Sequence, residues 1–233
     1  MMKRLLVIIC LFPLLSCAQQ QQKKSDIVIK DINDKVISYD EMSYLLLTGD
    51  YKMQQLKNEQ GEFSEIKLLK TTPQEKDAAL QTLSTPNPFF KHGENVPNEK
   101  FTTIDGQELS FEQLKGKVIV VNVWFTTCAP CLKEMPELNE LVEEYKSNEK
   151  VVFLAFSTDN KQTVERFLTR RSFNYKHIAG VGDMLEKLEL GTFPTNLVIT
   201  PEGKTMFIAG GYFPTIKQIL KYMIDKSLDI NDL

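Results

Sequence analysis

The carboxy-terminal part of this 233-residue chain predicts an α/β fold, with a smaller α+β region in front of it. Three observations carry that expectation. Two apolar runs rich in Val, Ile and aromatic residues, 117–125 and 151–157, have the length and composition of strands covered on both faces. Helical periodicity follows each run, and strands that alternate with helices build a sheet with helices on both sides. Pro86-Asn87-Pro88 disfavours helix and strand alike, so the chain divides into residues 26–85, a linker over 86–97 and a larger unit over 98–233.

Taken in order, residues 38–47 read as a short helix stopped by Gly49. Residues 51–57 and 63–69 read as a β-hairpin that turns at Asn58-Glu59-Gln60-Gly61. Thr72-Pro73-Gln74-Glu75 supplies a capping residue, a proline at the first helical position and an acid three residues after the cap. This front region holds no cluster of catalytic residue types, which leaves docking, dimerisation or a spacer role open. Beyond the linker, 101–104 and 108–110 flank the hairpin signal Asp105-Gly106 and form an extension ahead of the main sheet. The strand over 117–125 leads to a helix over 129–145, a strand over 151–157, a helix over 163–171 and a short strand over 175–178. A helix over 184–190 precedes a closing hairpin, 196–200 with 205–208, around Pro201-Glu202-Gly203. The last helix spans 215–227.

Composition limits the function classes. A net charge of -3 gives no basic field for nucleic acid, and 42% hydrophobic content suffices for one good core. The start of the chain points to export. Met1-Met2-Lys3-Arg4 is basic, 5–15 is apolar, and the apolar stretch is shorter than the roughly 20 residues a spanning helix needs. Leu14-Leu15-Ser16-Cys17 resembles the lipobox of bacterial lipoproteins, which implies a signal peptide over 1–16, a lipidated Cys17 and a polar tether over 17–25. An ordinary cleaved signal peptide with a chance cysteine is the alternative. The expected location is the cell envelope, anchored to a membrane and facing the periplasm.

Of four cysteines, Cys10 lies in the leader and Cys17 at its end, so Cys128 and Cys131 remain for the folded body. Cys128-Ala129-Pro130-Cys131 falls between a strand and a helix, the setting for thiol–disulfide exchange. The thiolate is the nucleophile, and unpaired N–H groups at a helix N-terminus stabilise it, so Cys128 fits the attacking role. Two intervening residues place Cys131 in the first turn, where it can resolve a mixed disulfide. Pro130 near the helix start costs little and stiffens the loop. A zinc site would need two more ligands, with only His92 and His177 as histidines in the chain, and no metal or other cofactor is implied. Glu134, three residues after Cys131, shares its helical face and is either a proton carrier for it or a solvated first-turn acid.

The run from Val118 to Pro136, VIVVNVWFTTCAPCLKEMP, resembles the active-site segment of the TlpA/ResA branch of the thioredoxin superfamily. Gly191-Thr192-Phe193-Pro194-Thr195 is similar to the segment that carries the cis-proline of that fold, and the likeness covers roughly 98–228. It implies a thioredoxin-like fold in which Cys128 and Cys131 form the redox-active disulfide and Glu134 is the active-site glutamate. The same resemblance places Phe193, Pro194 and Thr127 on the substrate groove. There the backbone at Phe193 would pair with an extended partner. Gly210-Gly211 either lines this groove or makes a turn. Pro136 is expected to kink the helix.

Two departures from the pattern matter. Thr127 stands where many relatives have tryptophan, which alters the groove. Asn122 replaces the buried aspartate of thioredoxins and cannot take a proton at neutral pH, so that, where proton transfer is needed, Glu134 gains weight as its route. Trp124 is expected in the core, and His177 is given no role.

The family likeness implies an oxidoreductase that reduces exported cysteine-containing proteins or apocytochromes, recharged by a membrane thiol donor. A peroxiredoxin-type peroxidase would require proline at Val121 and threonine at Phe125, and neither is present. A binding module on a redox scaffold is the third class, and retention of both cysteines speaks against it.

Overall fold

The computed structural model describes residues 27–229; the leader, Cys17 and the tether lie outside them. The front region comprises β1 (Val28–Lys30), α1 (Tyr39–Leu47), β2 (Tyr51–Lys57), β3 (Phe63–Lys70) and α2 (Pro73–Gln81). The expected hairpin β2–β3 is antiparallel, and β1 adds parallel to β3 with Ile29 opposite Ile66. Three residues of β1 carry too little pattern to be recognised alone. Ser38 caps α1 by accepting from the Glu41 N–H at 3.1 Å, and Gly49, at φ 75°, ends it. Thr72 and Glu75 complete a reciprocal capping box at the start of α2.

The larger unit continues with β4 (Lys100–Thr102), β5 (Glu108–Ser110), β6 (Val118–Trp124), α3 (Ala129–Tyr145), β7 (Val151–Ser157) and α4 (Lys161–Leu168). It ends with β8 (Lys176–Ala179), α5 (Gly182–Lys187), β9 (Thr195–Ile199), β10 (Thr205–Gly210) and α6 (Ile216–Asp229). The main sheet has the order β10-β9-β6-β7-β8. β6 is parallel to β7, with Val121 opposite Leu154, and antiparallel to β9, with Val121 opposite Leu197. Every residue of β6 is buried, as its unbroken apolar run requires. Residues from α3, α4 and α6 pack on one face of the sheet; α5, Phe101 and Phe111 pack on the other.

Two helices are displaced from their expected bounds. Asn160 caps α4 through the Thr163 N–H at 2.9 Å, so the helix starts earlier than 163 and stops before the arginine pair Arg170-Arg171. α5 likewise starts at Gly182 rather than 184, and Glu189, at φ 54°, leaves the helical region. α3 remains a helix of 17 residues with Pro136 inside it.

Both edges of the main sheet are covered, which removes unpaired strand edges from solvent. On one side the β4–β5 hairpin docks on β8, where the Ile104 N–H donates to the His177 carbonyl at 2.9 Å. On the other, the irregular segment 85–96 runs along β10. Thr85 N–H donates to Ile208 O at 2.9 Å, Gly93 N–H to Thr205 O at 2.8 Å and Val96 N–H to Gly203 O at 2.9 Å. Phe90, 1% exposed, anchors this segment in the core. The front region packs on α6 and the sheet: Leu80 enters the main core, and Asp77 accepts from the Tyr222 hydroxyl at 2.8 Å and pairs with Lys226.

Candidate active site

β6 ends at Trp124 in the middle of the sheet, and the chain emerges there as the loop that carries the cysteines. Cys128 is the N-cap of α3, and its sulfur accepts from the Cys131 N–H at 3.2 Å. The two sulfurs form a disulfide, with Cα atoms 5.2 Å apart. Cys128 is 3% exposed and Cys131 2%, whereas Thr127, Ala129 and Pro130 around them are exposed. The pair is therefore reached from the loop side, over small side chains. The Thr126 N–H donates to Asp159 Oδ2 at 2.6 Å, which ties the active-site loop to the turn after β7. Asp159 is itself held, its carbonyl accepting from Gly180 N–H at 2.7 Å.

Glu134 is 1% exposed, so the solvated alternative does not hold. Its Oε2 accepts from the Asn196 side-chain amide at 3.0 Å and its Oε1 from the Phe213 N–H at 3.3 Å. Burial pushes its carboxyl up to about 7, while the two donors pull downward and the nearby Glu137 charge adds to the rise. Asn196 in turn accepts from Asn122 Nδ2 at 2.9 Å, the two residues lying opposite each other in the β6–β9 register.

The Phe193–Pro194 peptide is cis. β9 begins directly after it, beside the end of β6, so this bond is level with the active-site loop; the Phe193 ring meets the Phe125 ring edge-on at 5.1 Å. The Pro194 carbonyl accepts from the Gly211 N–H at 2.7 Å, which brings Gly211 to the same mouth. Gly210 is enclosed instead: a Cβ there would lie 2.9 Å from Thr192 Cγ2, and its N–H donates to Thr85 Oγ1 at 2.7 Å. Trp124 is fully buried against Phe167, Phe173 and His177. His177 shares a hydrogen bond with the Phe173 carbonyl at 2.8 Å, and burial holds its pKa below the usual histidine value.

Asn196, the Phe213 N–H and Asp159 were not visible as site residues in the sequence. One signal existed for Asn196, since it and Asn122 are the amides in two largely apolar strands. Backbone groups and a lone aspartate after a strand give none.

The Redoxin family model matches residues 91–217. The thiol-disulfide oxidoreductase ResA of Bacillus cereus is 29% identical over 115 residues, 49% of this chain and 66% of that protein. ResA of Bacillus subtilis is 27% identical over 123 residues, 52% of this chain and 69% of that protein. The matched segment thus spans just under two thirds of the first of these relatives. Among solved structures, a Chlorobium tepidum protein proposed to be the thiol:disulfide interchange protein DsbE superposes with TM-score 0.54 at 20% identity, covering 60% of this chain and 99% of that one. A Bacteroides thetaiotaomicron protein proposed to be a disulfide isomerase gives TM-score 0.54 at 22% identity, covering 62% and 97%. Likeness at this identity establishes the thioredoxin-like fold.

Proposed function

We propose, since this chain belongs to the Redoxin family in its TlpA/ResA-like branch, that it is a protein thiol–disulfide oxidoreductase working as a reductase. The carrying observation is the disulfide at the N-terminus of α3 with a buried carboxyl on the same helical face. In the reduced protein the Cys128 thiolate attacks one sulfur of a substrate disulfide. A mixed disulfide forms, and the first substrate thiol leaves with a proton from solvent. Cys131 then gives its proton to the Glu134 carboxylate and attacks the Cys128 sulfur. The second substrate sulfur departs as a thiolate and takes that proton back from Glu134, and the Cys128–Cys131 disulfide remains. Two electrons and two protons have moved to the substrate, and a dithiol donor must return them.

Direction follows from electrostatics. The buried Glu134 carboxyl, on the helical face of Cys131, opposes the stabilisation that the helix N-terminus gives the Cys128 thiolate, and the less a couple's thiolate is stabilised the more reducing the couple is. Equilibration of the Cys128/Cys131 couple with glutathione is expected to place it near the thioredoxin end, about -270 mV, rather than the DsbA end, about -120 mV. A value at the oxidising end would overturn the direction, and failure to equilibrate with any dithiol would overturn the activity.

The substrates in this reading are exported cysteine-containing proteins or apocytochromes that lie extended across Phe193, Pro194 and Thr127. The donor is a membrane thiol protein. Lipidation at Cys17 holds the enzyme in the cell envelope, on the periplasmic side, and rests on the Leu14-Leu15-Ser16-Cys17 motif. Cys17→Ala should move the protein from the membrane fraction to the soluble one; retention in the membrane fraction, with no acyl mass on the wild type, would remove the anchor from the proposal.

A further inference from the structure

We infer that Asn122 and Asn196 are positioning residues which together turn a hydrogen-bond donor, rather than an acceptor, towards Glu134. An asparagine side chain has one end that donates and one that accepts, and either end could face a neighbouring carboxyl. Here the choice is made across the sheet. Asn122 Nδ2 occupies the Asn196 oxygen at 2.9 Å, so the only end of Asn196 left for Glu134 is the amide nitrogen, which donates to Oε2 at 3.0 Å. Both amides are sealed from water, Asn122 at 1% and Asn196 at 0% exposure. Bulk solvent does not reach either end.

The surroundings of Glu134 make this polarity matter. On its own helix Glu137 opposes ionisation, and the Lys133 ammonium lies 4.3 Å from the centre of the Tyr212 ring. From the segment before β8 the buried, neutral Tyr175 interacts with Glu134 electrostatically, and at the helix start lies Cys131. Among the described residues, the groups that favour the ionised carboxyl are therefore the Asn196 amide and the Phe213 N–H. If Asn196 were reversed, its oxygen would face the carboxyl and hold a proton on it. Neither amide titrates near neutral pH, so the device works identically across the range in which Glu134 changes state. An aspartate at position 122 would add a second titrating group to the same chain.

This inference rests on the reading of Glu134 as the proton carrier, and the test separates the two. The first measurement uses the intact wild-type protein: NMR of the Glu134 carboxyl carbon and of the Asn196 side-chain NH₂ across pH 5 to 9. The Asn196 signals should shift with the same midpoint as the carboxyl, and that shift should vanish in Glu134→Gln. Asn196 signals that ignore the Glu134 transition would overturn the inference. The second uses Asn122→Leu/Asn196→Leu, which removes both partners together and so leaves no orphaned amide in the strands. Its Glu134 midpoint should rise by about one pH unit, the worth of one hydrogen bond to a charged group. An unchanged midpoint would overturn the inference. A raised midpoint with an unchanged exchange rate supports the positioning role and counts against Glu134 as the proton carrier.

Discussion

Incubated with a disulfide-bonded partner, reduced Cys131→Ser protein accumulates a mixed disulfide through Cys128, whereas Cys128→Ser protein accumulates almost none. The asymmetry follows from where the two sulfurs sit. Cys128 caps α3, so its sulfur faces the unpaired N–H groups of the first turn, one of which, from Cys131, already points at it at 3.2 Å. The exposed residues Thr127, Ala129 and Pro130 surround the approach to Cys128. Cys131 lies within the first turn, as buried as Cys128 at 2% against 3% exposure, and is followed on its own face by the buried Glu134. A partner sulfur coming over the loop therefore meets Cys128 first, and serine at 131 removes the group that would release it. Both single variants should show no turnover above the uncatalysed rate, because reduction of the partner needs both sulfurs. Non-reducing gels with mass spectrometry of the trapped species read the result. Equal trapping by the two variants would reverse or abolish the assignment of roles.

Most elements were legible because each had a local cause. β6 and β7 are long apolar runs, the cysteine spacing falls at a strand-to-helix junction, and Thr72 with Glu75 spells a capping box within four residues. What was not legible depends on residues far apart in the chain. β1 exists because Ile29 finds Ile66, and nothing in Val28-Ile29-Lys30 alone says so. Prolines exclude regular structure over 86–88 but cannot indicate that 85–96 pairs with an edge strand more than a hundred residues later. The bounds of α4 were displaced because Asn160 caps the helix through the Thr163 N–H, an interaction that hydrophobic periodicity does not register.

The same division runs through the site. Spacing puts Glu134 on the face of Cys131, but its burial is decided by Asn196 and the Phe213 N–H, 62 and 79 residues away. Asn122 was read as a loss, an acid replaced by a group that cannot exchange a proton. In the structure it has a partner of its own, and that partner is the residue that meets Glu134.

Glu134→Gln should change both exchange and stability, and in each case the pH dependence carries the information. The carboxyl is buried, and desolvation raises it to about 7 from an ordinary 4.5. An acid with a raised folded pKa binds its proton more tightly in the folded state than in the unfolded one. Its contribution to stability is then fully present below about pH 4.5, declines as the pH rises between the two values, and is lost above about 7. Relative to the glutamine variant, wild-type protein should therefore lose about 3 kcal/mol of stability between those limits, the energy equivalent of the gap. Glutamine cannot accept from both Asn196 and the Phe213 N–H without turning its own NH₂ against one of them, which adds a constant offset. The slope of the difference against pH, taken from denaturant unfolding of the oxidised proteins, is unaffected by that offset. Exchange should slow by about 100-fold near neutral pH, within the range of general acid–base effects, and lose its inflection near 7. A difference in stability that is flat with pH would mean that Glu134 does not titrate where its burial places it. Superimposable rate profiles would leave Cys131 to exchange its proton by another route.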